Sequence, residues 1–537
     1  MTLETLYKGL NLEDYYIGRV KQVFRGCSVA KVENIALMTN RDKFSKLFQP
    51  NTINYFVIVE ATQGLFLGEV FENKTTADNI SEETTDSGKP VYHEISIDTI
   101  ALMPFDADKF DLAGFQTLGI ADKVYLANDE VHKIFLRSLE LSKEDEERLP
   151  SFAKYLNRAT ADVELKPSTL FNRHLLCVGA TNSGKSTTAL AILDKVISTK
   201  RKALIVDPTG EYRDAFSDSE VRKITLGVDT TISPGKLTMQ QWEKLFETSN
   251  SSQGAVLAEA ITSLRYMHKI GEDGYFVKVG QNIDEVQEAM ASVTGNDTVF
   301  DISLLPEQIQ AESVSEPERD YNYNFRYCYN TQKANANNSL IQKIAYQMTN
   351  TRFLSFFSDD PSLNNLLEEI DEFIHTPNTS LYIDTSSLGA TEGIGGMVID
   401  LLCNFIIQQK DISPFVFFID EVHRYTRSQY SDSEFHSGLT LVAREGRKKG
   451  IFLYLTTQNP KDVSPILFGQ IGTMIIHRLM LNDEIRTVEN HLDDYTIKHV
   501  RKLYQGEAIL ASVNLLQNMF IHIYKSDRTQ YNETPNL

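Results

Sequence analysis

Apolar residues along this chain fall into two kinds of pattern. From about Tyr16 to Met103 they form short runs rich in β-branched and aromatic residues, among them "FVIVE", "LFLGEVF" and "VYHEISI". Gly, Asn and Thr clusters separate them, which predicts strands. Several short strands close together predict a small barrel or sandwich over residues 1–125. The polar stretch Asn73 to Lys89 predicts a mobile loop within it. From Asp129 to Leu156 the pattern turns helical and charged, broken at Pro150, and predicts a helical connector over 126–160.

Farther along, "LLCV", "ALIVD", "LYID", "FVFFI", "IFLYLT" and "TMII" are continuous apolar runs, as expected of strands buried on both faces of a parallel sheet. Leu190, Leu193 and Ile197 share one face of a helix between the first two. The strand runs stop after about residue 240 and resume at Leu381. Between them lie helix-like stretches such as "QGAVLAEAITSLRYMHKI" and "LIQKIAYQMTNTRFLSFF", with a polar hinge around "SVSEPERDYN". The expected organisation is an α/β core over 161–245 and 379–515, a helical insertion over 246–378 and a C-terminal tail over 516–537 with a polar, extended end. No internal repeat is visible.

Composition narrows the class. At 537 residues the chain is too long for one ordinary domain. Hydrophobic residues at 42% and charged residues at 23% describe a soluble globular protein. No apolar run approaches the ~18 residues of a membrane span; the longest, Met397 to Ile407, contains Asp400 and Asn404. The opening residues lack the basic start and apolar stretch of a secretory leader, so a cytoplasmic location is expected. Cys27, Cys177, Cys328 and Cys403 have no metal-ligand spacing and fit buried thiols in a reducing compartment. A net charge of −20 argues against a surface coated for nucleic acid, though not against a local basic lining.

Four stretches carry chemistry. Gly179-Ala180-Thr181-Asn182-Ser183-Gly184-Lys185-Ser186, followed by Thr187, matches G-x-x-x-x-G-K-[ST]. Its glycines let backbone N–H groups close around phosphate oxygens at a helix N-terminus. Lys185 reaches the β- and γ-phosphates, and Ser186 is a ligand for Mg²⁺. In "FVFFIDEVHRY" an apolar strand ends in Asp420-Glu421. Asp420 suits a water-mediated Mg²⁺ contact, and Glu421 suits activation of an attacking water. Gln458 in "TTQNP" suits sensing of the γ-phosphate, although an amide before Pro460 also fits an ordinary turn. The four cations of "AREGRKKG" fit either a solvated helix end or an arginine offered to a neighbouring subunit's γ-phosphate.

With "RHLLCVGATNSGKST", "ALIVDPTGEY", "FFIDEVHRY", "AREGRKKGIFLYLTTQNP" and "IIHRLMLNDE" in order, the chain resembles a HerA-type ATPase of the HerA/FtsK branch of P-loop proteins. The amino-terminal strands resemble the HAS barrel that precedes the ATPase in that family. The resemblance implies a RecA-like core in a hexameric ring around a pore, with ATP and Mg²⁺ driving translocation of duplex DNA. By position it makes Arg447 the arginine acting in trans, with Arg444 as runner-up. Arg173 matches an arginine just before the phosphate-loop strand, and Asp207 and Glu211 match acidic positions after the second strand. Asn182 departs from the family's usual glycine, but asparagine tolerates left-handed geometry.

No nuclease constellation is present, so any cutting comes from a partner. The resemblance implies a separate effector, either a NurA-type nuclease or a sirtuin-type NAD hydrolase, in anti-phage defence or DNA-end processing. Arg424 and Arg427 are weak candidates for a basic pore lining. The rival reading is a scaffold whose ATP state gates its effector without moving on DNA.

Overall fold

A computed structural model describes residues 1–24, 26–35, 37, 53–77, 91–141, 145–156, 161–246, 248, 251–315, 325–358, 362–387, 394–426 and 438–531. The chain forms two compact units. The first comprises Met1–Asn172, Val178–Ala191 and Gly472–Lys525; the second comprises Arg173–Cys177, Ile192–Ile471 and Ser526–Leu537.

In the first unit, strands β1 (Tyr16–Val23), β2 (Ser28–Val32), β3 (Tyr55–Ala61), β4 (Gly64–Ala77), β5 (Val91–Met103) and β6 (Lys123–Leu126) close into a barrel. Their order is β1-β2-β5-β4-β3-β6, and every neighbouring pair is antiparallel. Val57, Val59, Phe66, Val70, Ile95, Ile97 and Val124 fill it and are buried. Closure leaves no free strand edge. The β4–β5 ribbon pairs out to Ala77↔Val91, so Asn73 to Ala77 is strand where the polar composition predicted loop. Ladder bonds join backbone groups and do not need apolar side chains. The rest of that polar stretch, 78–89, lies outside the described residues, as does most of the hinge around 316–322.

A second group of strands in the first unit holds β7 (Ala153–Tyr155) and β8 (Asp162–Val163), together with strands from the far end of the chain. These are β19 (Thr473–Ile476), β20 (Glu507–Ser512) and β21 (Met519–Ile523), in the order β19-β20-β21-β7-β8, all antiparallel. The run "TMII" is therefore a strand, but it pairs antiparallel with β20. Among the described residues, the segment 126–160 is only partly helical: one helix, Asp129–Ser138, is capped by the Asn128 side chain, which accepts from the Val131 N–H.

The second unit is built on β9 (Leu175–Val178, as far as Cys177), β10 (Lys202–Asp207), β11 (Val221–Thr225), β16 (Ser380–Asp384), β17 (Phe415–Ile419) and β18 (Ile451–Thr457). The order is β11-β16-β10-β17-β18-β9. The first four neighbouring pairs are parallel. Every residue of β10, β16 and β17 is buried, which is why these segments read as unbroken apolar runs. Parallel strands bring their C-terminal ends to one edge. Asp207 and Asp384 stand there in register, and Asp420 N–H donates to Val206 O at 3.1 Å.

Between β11 and β16 lies a helical insertion, with helices including Ser251–Ile270, Thr331–Met348 and Leu366–His375. Two short ladders brace it: β12 (Thr230–Thr231) with β15 (Asn364–Asn365), and β13 (Val314–Ser315) with β14 (Cys328–Tyr329). Trp242 anchors its aromatic core between Phe246 and Phe300, with centroids 5.7 and 6.1 Å away. The polar tail is pinned rather than free over 526–531. Arg528 donates to Asp194 and Glu220, and Tyr531 donates through its hydroxyl to Asp214. Among the cysteines, Cys177 and Cys403 are buried as expected, but Cys328 is exposed and Cys27 half-buried. Among the described residues no helix is long and apolar enough to cross a membrane.

Candidate functional site

The phosphate loop belongs to the first unit. It runs from the end of β9 to the helix Lys185–Ser198. Asn182 has φ +61° and Gly184 φ +113°, so two of the loop's residues take the left-handed half of backbone space. A Cβ on Gly179 would stand 2.4 Å from Ser183 Oγ and 2.7 Å from His477 Cβ. Only glycine closes the loop this tightly. Three backbone bonds tie the loop to the strands beside it: Ala180 N–H to Arg478 O (3.1 Å), His477 N–H to Val178 O (2.8 Å) and Gly506 N–H to Ser183 O (3.0 Å). Lys185 is buried, Ser186 and Thr187 are half-buried, and Thr181 and Asn182 are exposed.

His477 sits beneath this loop with no exposure. Its Nδ1 lies 2.9 Å from Glu507 O, and its Nε2 lies 2.8 Å from Thr188 Oγ1. A carbonyl only accepts, so Nδ1 carries the proton and Nε2 accepts from the hydroxyl. Burial, with the Lys185 charge adding, pushes the imidazole down to about 4. The ring is neutral at ordinary pH and serves as a fixed strut.

The acidic residues belong to the second unit. β17 ends at Ile419, and Asp420 and Glu421 follow, both buried. Glu421 takes φ +47°, a left-handed conformation rare for a residue with a side chain. Its N–H donates to Thr456 Oγ1 (2.8 Å), and that hydroxyl donates to Asp420 Oδ1 (2.5 Å). Gln458 Nε2 donates to Glu421 Oε1 at 2.9 Å. His423 Nδ1 stands 3.1 Å from the other carboxylate oxygen, Oε2. The wall around the acids is phenolic. Tyr212 and Tyr454 are completely buried, and burial first, with the Asp420 charge adding, keeps both far above the ordinary phenol range.

Asp207 has a different occupation. Its Oδ1 accepts from Thr209 N–H (2.8 Å), Gly210 N–H (2.9 Å) and the Thr209 hydroxyl (2.8 Å). Its Oδ2 accepts from Tyr212 N–H (2.9 Å) and the Tyr382 hydroxyl (3.0 Å). Five donors on one carboxylate make it the organiser of the turn that carries Glu211.

The arginines lie elsewhere in the second unit. Arg444 and Arg447 are exposed just before β18, and Arg173 is exposed just before β9. Between them His174, at φ +57°, donates from Nε2 to Ala443 O (2.9 Å) and accepts the Leu453 N–H at Nδ1 (3.0 Å). The two strands thus start at the same edge. The acids and Gln458 are at the other end of β18, about 20 Å away at the usual rise per residue. So the structure brings Asp420, Glu421 and Gln458 together and sets Arg173, Arg444 and Arg447 at the opposite edge.

Sequence reasoning missed Thr456, His423 and His477. The signals were faint: a hydroxyl beside the amide in "TTQ", an imidazole after the acids in "DEVH", and a histidine closing the apolar run "TMII". Hydroxyl and carboxylate oxygens, such as those of Ser186 and of Asp420, are hard donors of the kind Mg²⁺ takes.

A protein-family model described as the central domain of the helicase HerA matches residues 152–406. A probable helicase of Methanocaldococcus jannaschii, MJ1565, is 23% identical over 388 residues, covering 71% of this chain and 68% of that protein. The DNA double-strand break repair helicase HerA of Saccharolobus solfataricus is 21% identical over 355 residues, covering 63% of this chain and 62% of its own length. Among solved structures, the bacterial conjugative coupling protein TrwBdeltaN70 aligns over 75% of this chain and 94% of its own, at 14% identity and a TM-score of 0.47. Residues 152–406 thus match the central domain of the helicase HerA, and the chain is similar over much of its length to these helicases.

Proposed function

We propose that this chain is an ATP-hydrolysing motor of HerA type that forms a hexameric ring, takes duplex DNA into its pore and works with a separate effector. The observation that carries the reading is the acid pair after β17: Asp420 bound to Thr456, and Glu421 bound to Gln458 and facing His423. Such an arrangement suits one carboxylate for metal and the other for water.

Lys185 and the N–H groups of residues 179–187 hold the phosphates. Ser186 and Asp420 are the residues that would hold Mg²⁺, which would supply neutralisation of the phosphate charge. Glu421 takes a proton from water as that oxygen bonds to the γ-phosphorus and the bond to the β-phosphate oxygen breaks. Gln458 donates to Glu421 Oε1, and a γ-phosphate would compete for the same amide, which makes it the sensor. Arg447 lies at the edge remote from its own acids, which supports action on a neighbouring subunit, with Arg444 and Arg173 on the same edge.

Duplex DNA as the track is supported by the relatives named as helicases. The barrel carries none of the hydrolytic chemistry and is the proposed docking face for the effector, a NurA-type nuclease or a sirtuin-type NAD hydrolase. We favour a role in anti-phage defence over DNA-end processing. The net charge of −20 favours the rival reading, an ATP-gated scaffold that never moves on DNA. Arg424 is exposed, and Arg427 lies outside the described residues.

Filter binding of duplex DNA at several salt concentrations, run beside Mg²⁺-dependent ATP hydrolysis, separates the two. A motor binds with a steep negative salt slope and hydrolyses faster with DNA. Hydrolysis that ignores DNA, together with no salt-dependent binding, leaves the scaffold.

A further inference from the structure

We infer that Thr456 is a positioning residue for hydrolysis, because its single hydroxyl sets the Asp420 carboxylate and the Glu421 backbone at once. The inference rests on the ATPase reading and names a residue that reading does not use.

Thr456 has no exposure and lies one residue from the end of β18. The β17–β18 ladder is in register to Ile419↔Leu455, so Thr456 is the next residue across from the acids. Its carbonyl accepts the Val422 N–H at 2.8 Å, which continues the pairing past the end of β17. The direction of each side-chain bond follows from chemistry. The Glu421 N–H can only donate, so Oγ1 accepts there, at 2.8 Å. The hydroxyl's one proton then goes to Asp420 Oδ1, at 2.5 Å, a charge-assisted bond.

The backbone explains the need. In an extended strand, successive side chains point to opposite faces, which would drive adjacent carboxylates apart. Glu421 leaves that alternation by taking φ +47°. A left-handed residue with a side chain is strained and persists only where its surroundings hold it. The bond from its N–H to Thr456 is such a hold. A β-branched residue is stiff at χ1, so the oxygen keeps one place. Gln458 and His423 then act on the Glu421 carboxylate from positions set by the same strand end and the same turn. Small displacements of a water-activating group lower turnover steeply.

The test compares Thr456→Val, Thr456→Ser and wild type by kcat, KM for ATP, Mg²⁺ needed for half-maximal rate, and affinity for a fluorescent nucleotide. Valine keeps the branched shape and loses the oxygen. Its kcat should fall ~10- to 100-fold with KM within ~3-fold, and its Mg²⁺ requirement should rise. Serine restores the hydroxyl and should keep kcat within ~3-fold of wild type. If Thr456→Val melts early, Thr456→Ala, checked for nucleotide binding, supplies the same comparison. Wild-type kcat in a variant lacking the hydroxyl overturns the inference while leaving the ATPase intact. So does a serine variant as defective as valine, which would assign Thr456 to packing. A wild-type protein without ATP hydrolysis overturns the ATPase reading itself, and this inference with it.

Discussion

A neutral imidazole beneath the phosphate loop makes that region sensitive to acid. His477 donates to Glu507 O and accepts from Thr188, and burial holds it at about 4. In the unfolded chain its ordinary value is 6.5. Between these values the unfolded state binds the proton and the native state does not, so stability falls as pH drops through this window. The contribution is fully present above 6.5 and is lost as pH approaches 4. It amounts to about 3 kcal/mol from a shift of this size. His477→Gln has no such proton to take up. The urea midpoints of wild type and variant should therefore converge between pH 7.5 and pH 4.5. A gap that stays constant would show that the imidazole is not held neutral.

At the scale of elements, the C-terminal segment shows how a polar tail is ordered without apolar burial. Arg528 reaches Asp194 at 2.5 Å, both oxygens of Glu220 at 2.8 and 3.0 Å, and Ala215 O at 3.2 Å. Its guanidinium also lies 4.7 Å from the centroid of Phe216. The bonds from Arg528 are the largest cause holding Glu220 down to about 2. A forked donor that satisfies several acceptors at once is stronger than a single surface pair. Arg528→Ala should cost about 1–2 kcal/mol, discounted for partial exposure. It should also release the tail to protease well before the body unfolds. Cleavage of the tail at the wild-type rate would mean that Arg528 does not hold it.

At the scale of the whole molecule, the remoteness of Arg447 from its own acids yields the most discriminating outcome. Arginine fingers are worth roughly 10³ to 10⁵ in rate. Arg447→Ala and Glu421→Gln should each be nearly inactive alone. In mixed rings some interfaces keep wild-type Glu421 from one subunit and wild-type Arg447 from the next, and ATPase activity should return. An arginine acting in cis forbids this, since every site would still lack one group. No recovery, under conditions where rings mixed with wild type keep activity in proportion to their intact interfaces, would remove Arg447 from the role. The same proposal requires a hexamer. Light scattering giving monomer or dimer with ATP and effector present would sink it.

Local features carried much of this protein's design in plain view. The loop from Gly179 to Thr187 was legible because a phosphate cradle needs particular residue types at fixed spacing. Asn182 at φ +61° follows from the tolerance of asparagine for left-handed backbone. The strands from "LLCV" to "IFLYLT" were legible because burial on both faces leaves an unbroken apolar run. Tertiary structure decided what depends on register between distant segments. "TMII" looked like the other strands, yet it pairs antiparallel with β20, because an apolar run does not encode direction. Gln458 could be placed at a strand end from its neighbours, but its bond to Glu421 spans 37 residues. Thr456, one of several threonines near strand ends, became a hub only because β17 and β18 pair so that its hydroxyl meets both acids. A side chain's type is written locally. Its partner is chosen by which strands lie side by side, and in what register.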